Sequence, residues 1–136
     1  MITLLVALAA QNPNFVCNRD GSEHEMRICA HDDYVAADRQ LNAQWRKTIA
    51  AVKRQGAESK NIREKMWGLG PPNESLVRAQ RAWIVFREQS CRTEERISAG
   101  SVHTRRYFEC MEAMTKERTQ QLFKLSRNPE HPEDPL

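Results

Sequence analysis

No apolar stretch after Ala10 approaches the roughly 20 residues that a helix needs to cross a bilayer, so no membrane span is expected in the folded part. No two cysteines stand two to four residues apart, which removes the compact zinc patterns. The four histidines, His24, His31, His103 and His131, are scattered and form no catalytic metal motif, so no metal or cofactor is expected. A continuous basic track is missing too. Arg78, Arg81, Arg92, Arg96, Arg105, Arg106, Lys116 and Lys124 are interrupted by Glu74, Glu88, Glu94, Glu95, Glu109, Glu112 and Glu117, and this excludes nucleic acid as the expected partner.

What is present begins with MITLLVALAA, an apolar run from Met1 to Ala10 that closes on the small-x-small pattern Ala7-Leu8-Ala9 and is followed by Gln11-Asn12-Pro13. It has the form of a secretory signal, residues 1–10, although no basic residue precedes it. No cysteine follows the cleavage-like position to carry a lipid anchor. The even set Cys17, Cys29, Cys91 and Cys110 agrees with export, because structural disulfides persist in oxidising compartments. The expected location is therefore the periplasm or the medium.

The 136 residues suffice for one domain with a modest core. Ser22 and Glu25 form a capping box, and after it Ala30, Tyr34, Ala37, Leu41, Trp45, Thr48 and Val52 recur every three or four residues. This predicts one long helix over about 23–55, with Gly56 as its stop. Ile62, Met66 and Trp67 suggest a short extra helix before Gly68-Leu69-Gly70-Pro71-Pro72, and Trp67 is the tryptophan expected at the surface. Asn73 then caps a second long helix with the seam Leu76, Ala79, Trp83, Phe86 and Ser90. Beyond Gly100 a third helix over about 102–125 carries Tyr107, Met111, Met114, Arg118, Leu122 and Leu125 on one side. The fold class is all-α: a small bundle of three main antiparallel helices and one short helix. Residues 126–136, with three prolines and three acids, read as a disordered tail.

Four cysteines allow three pairings. In a hairpin turning near Gly100, Cys91 and Cys110 lie nine residues before and ten after the turn and so face one another. The same register sets Trp83 opposite Arg118 and Leu76 opposite Leu125. Cys17 is then left to Cys29, tying the segment before the first helix to that helix.

Charge is unevenly spread although the net is only +3. Asp20 to Gln40 holds six acids and two bases, whereas Leu41 to Trp67 holds seven bases and two acids. Asp32, Asp33 and Asp38 invite comparison with the carboxylate pairs of glycoside hydrolysis. Adjacent aspartates point in different helical directions, however, and a solvated acidic face is the simpler expectation. Arg87 and Arg118 lie on or beside the apolar seams; if buried, each needs a partner, with Asp33, Asp38, Glu88 and Glu94 as available acids.

The run Ala79-Gln80-Arg81-Ala82-Trp83 followed by Phe86-Arg87 and Cys91 resembles the signature of the LprI-like lysozyme-inhibitor family. Cys17, Cys29, Leu41-Asn42, Trp45, Gly100, Cys110, Thr115, Arg118, Leu122 and Leu125 extend the resemblance over about 17–125. It implies an exported bacterial protein of small helical fold and, as activity, inhibition of lysozyme by protein binding without catalysis. The connection Lys60 to Asn73 is longer than that family pattern requires. A cationic lysozyme calls for an acidic contact surface, and Glu23, Glu25, Asp32, Asp33 and Asp38 are the candidate partner face. The alternatives are an envelope interaction domain with another partner, and an enzyme or carbohydrate binder.

Overall fold

The computed structural model describes residues 16–128 and 133–135. The expected signal at 1–10 lies outside the described residues. Four α-helices follow in order: α1 (Glu23–Glu58), α2 (Lys60–Trp67), α3 (Pro72–Ile97) and α4 (His103–Leu125), the last preceded by a turn of 3-10 helix at Gly100–Val102. The chain is a small all-α bundle tied by two disulfides, Cys17–Cys29 and Cys91–Cys110. Each long helix runs antiparallel to the next, so α1 and α4 lie parallel: Glu23 meets Arg105 near their starts, and Thr48 meets Leu122 further along.

α1 starts where the capping box places it, with the Ser22 hydroxyl accepting from the Glu25 amide and the Glu25 carboxylate accepting from the Ser22 amide. It buries Ala30, Ala37, Leu41 and Thr48 along the face set by the spacing of its apolar residues. The expected stop at Gly56 is not there, since the helix continues to Glu58 with Gly56 buried inside it. A Cβ at Gly56 would lie 2.8 Å from the Pro72 ring, so this glycine admits the start of α3. Gly56→Ala is therefore expected to lower stability by about 1 kcal/mol, overpacking outweighing the better helix propensity of alanine. A higher urea midpoint for this variant would show that Pro72 yields.

α3 begins two residues earlier than expected. Pro71 is its N-cap and Pro72 its first residue, a position where the missing proline N–H costs nothing; Asn73 is already inside. Its buried residues are Leu76, Gln80, Arg87 and Cys91, so the helix is rotated from the anticipated seam and Phe86 points outward, 62% exposed. The turn into α4 passes through Gly100 at φ 79°, a backbone conformation that a side chain would strain.

The core has two apolar layers. Cys91, Tyr107, Cys110 and Met111 form one, with Tyr34, Phe108 and Met114 against it; Leu41, Leu76 and Leu122 form the other, with Trp45, Ile49, Val52 and Trp83. Between them lies a polar belt built on Arg87 and Thr115. Of the expected tail, the described residues make short contacts: the Asn128 amide donates to the Asp134 carbonyl at 3.1 Å, and the Arg127 guanidinium donates to the Glu133 carbonyl at 3.0 Å.

Candidate functional site

The polar belt contains most of the motif residues. Arg87, with a side chain only 8% exposed, donates to the Asp38 carboxylate at 3.0 Å and to the Thr115 hydroxyl at 2.8 Å. Thr115 in turn donates to the Met111 carbonyl, as a buried hydroxyl in a helix must find an acceptor. The Arg87 guanidinium lies 4.8 Å from the centre of the Trp83 ring and 5.5 Å from that of Tyr34. Arg118 approaches Trp83 at 5.7 Å and donates to the Gln80 side chain at 3.0 Å. Both arginines are thus held by the bundle, Arg87 through an acid and Arg118 through the amides of Gln80 and Gln121. Leu41 and Leu122 are buried below this belt and Trp45 packs against them, whereas Ala79, Arg81, Phe86 and Asn42 lie on the outside. The recognisable motif is chiefly the inside of the fold.

The acidic residues of α1 stand in different settings. Glu23 accepts from Arg105 at 2.8 Å, and Arg105 reaches Glu109 at 2.7 Å, joining the starts of α1 and α4. Glu25 closes the cap, and the Ser22 amide hydrogen bond holds its carboxyl below the usual range. Asp33 accepts both arms of Arg19 at 2.8 and 2.9 Å, and those hydrogen bonds likewise hold its carboxyl below the usual range. Asp38 belongs to Arg87 and also accepts from Asn42 at 3.1 Å. Asp32 is the one of the five with neither an arginine nor a cap; its exposed carboxylate lies 3.3 Å from the His31 ring. Beside it is an open groove of about 380 Å³ between α1 and α4, lined by His24, Arg27, Ile28, His31, Asp32 and Phe108. Phe108 meets His31 edge-on, with the ring centres 5.0 Å apart.

Two further contacts escaped the reading of the sequence. The fully buried Thr48 donates to the Leu122 carbonyl at 2.8 Å, a bond that any hydroxyl on an apolar seam requires. Tyr107 donates to Glu88 at 2.7 Å, and burial pushes its phenol up to about 12. Glu88 is held below its usual range by that Tyr107 hydrogen bond and by Arg92, and Glu95 is lowered by its hydrogen bond from Arg92. Carboxylates lowered in the folded state stabilise it above their unfolded range and lose that contribution as pH falls. A phenol on a seam is the signal that could have found such a partner.

Among the described residues no three His, Cys, Asp or Glu side chains come together as a metal site, and no helix is long and apolar enough to cross a membrane. The polar contacts described above close the interior or join helices, and they define a small disulfide-tied helical scaffold. The chain belongs to the family described as lysozyme inhibitor LprI, whose model matches residues 17–122. It is also 32% identical over 123 residues to an uncharacterized protein of Rhizobium meliloti (strain 1021), covering 90% of this chain and 86% of that one. No solved structure matches it.

Proposed function

We propose that this is an exported envelope protein that acts by binding another protein, with a lysozyme or related cell-wall hydrolase as the partner. The family match carries the reading, because it spans the whole bundle from the first disulfide to the buried Leu122. The contact face is the start of α1 around Asp32 and the groove beside it, where a carboxylate is exposed next to His24, His31 and Phe108.

Purified oxidised protein added to a lysozyme turbidity assay is expected to slow lysis at micromolar concentration in low salt, and less so as salt screens the exposed charges. Asp32→Lys is the clean probe of the face. It is expected to weaken inhibition roughly fivefold or more, as reversing a charge at an interface does. Asp33→Lys would also break the Arg19 pair and confuse the outcome. Full inhibition by Asp32→Lys places the contact elsewhere on the bundle.

One observation favours a second reading, an envelope interaction domain whose partner is not strongly cationic. Arg19, Arg87 and Arg105 neutralise Asp33, Asp38 and Glu23, which leaves the acidic segment with much less field than its composition suggests. Absence of inhibition at micromolar protein in low salt decides for that reading.

A further inference from the structure

At the end of α1 remote from Asp32 the bundle carries an apolar tip that no other part of the described chain covers. α2 has no buried residue. Ile62 and Met66, one helical turn apart, are 54% and 68% exposed, and Trp67 and Leu69 beyond them are 63% and 56% exposed. Large apolar groups gathered in this way are unfavourable in water unless something receives them.

The tip is held in a defined shape. Arg63 turns inward from α2, and its guanidinium donates to the Gly56 carbonyl at 2.7 Å, which fastens α2 to the end of α1. Gly68 ends α2 in the left-handed conformation at φ 60°, and the Leu69 amide donates back to the Arg63 carbonyl at 3.3 Å. A Cβ at Gly68 or Gly70 would have nothing within 4 Å, so this turn borders open space.

The charge around it is net positive, with Glu58, Glu64 and Glu74 among the bases. From Lys53 to Arg81 the chain carries seven bases and three acids, and Lys53, Lys60 and Lys65 are exposed. We infer that this tip is a docking wedge for an anionic phospholipid surface, with Met66, Trp67 and Leu69 entering the headgroup region and the surrounding lysines meeting lipid phosphates. Tryptophan prefers that interfacial depth, and lysine stems extend along apolar matter while their ammonium groups stay in water. An exposed apolar turn fits a fluid bilayer without a complementary pocket, whereas a protein partner would have to supply one. Roughly 40 Å of helix separates Asp32 from this end of α1, so the wedge does not depend on the partner proposed above.

The test is co-sedimentation of the oxidised protein with phosphatidylcholine vesicles containing about a third phosphatidylglycerol, against vesicles of phosphatidylcholine alone. The wild type is expected to sediment with the anionic vesicles, with a blue shift in tryptophan emission, and to be released at about 0.5 M salt. Met66→Ser/Trp67→Ser and Lys60→Glu/Lys65→Glu are each expected to weaken binding about tenfold or more. All four side chains are exposed, and unchanged thermal melting by circular dichroism verifies the fold of both variants. Failure of the wild type to bind anionic vesicles, equal binding to neutral ones, or undiminished binding by either variant overturns the inference. So does a wild-type dimer that becomes a monomer in Met66→Ser/Trp67→Ser, which would make the tip a contact between copies.

Discussion

Asp38→Ala is expected to destabilise the protein by about 3 kcal/mol, and Arg87→Met by only about 1 kcal/mol. The asymmetry follows from burial. Removing Asp38 leaves the guanidinium of Arg87 inside the bundle without its carboxylate, and its Nε already has no hydrogen-bond partner. Thr115 still accepts one bond, and the Trp83 and Tyr34 rings still face the cation, but neither neutralises it. Removing Arg87 instead leaves a carboxylate that is one-third exposed and keeps its hydrogen bond from Asn42. Methionine also fills much of the vacated volume. Urea unfolding of the two variants and the double variant measures this directly. The double variant should be more stable than Asp38→Ala alone, because the two costs belong to one interaction. A single Asp38→Ala as stable as Arg87→Met would mean that the belt is hydrated and the ion pair dispensable.

Cys91→Ala/Cys110→Ala is expected to cost about 3 to 4 kcal/mol, and Cys17→Ala/Cys29→Ala roughly 1 kcal/mol less. The first bridge links residues 19 apart and the second residues 12 apart, which alone gives a small difference in loop entropy. Packing supplies the larger one. Cys91 and Cys110 are both buried in the layer with Tyr107 and Met111, with the Met114 sulfur 3.7 Å from Cys91, so their loss also opens a void between α3 and α4. Cys17 is exposed, and its bridge holds only the segment ahead of α1. Equal losses from the two pairs, by urea unfolding under non-reducing conditions, would show that loop closure is the whole contribution.

Regular periodicity made α1 and the pairing of α3 with α4 readable from the sequence. The turn at Gly100 set Cys91 against Cys110 and Trp83 against Arg118, as the structure has them. α3 was harder to read, because it has apolar residues on both faces. Val85 and Phe86 are outward while Gln80 and Arg87 are inward, and a pattern that assigns apolar residues to the core rotates such a helix the wrong way. Gly56 misled for a related reason. Its absent side chain accommodates Pro72, which is sixteen residues away in the chain and adjacent only after folding.

The five carboxylates in the first half of α1 show the same division. Their presence on one segment, the Ser22–Glu25 cap and the register of Cys91 against Cys110 were determined by the sequence, since each depends on neighbours in the chain or on a short turn. Which of those carboxylates remain available was decided by tertiary structure alone. Asp38 is committed to an arginine 49 residues away and Glu23 to one 82 residues away, whereas Asp32 stays at the surface. A charge is neutralised by whatever side chain packing brings within hydrogen-bond reach, and local spacing contains no record of that encounter.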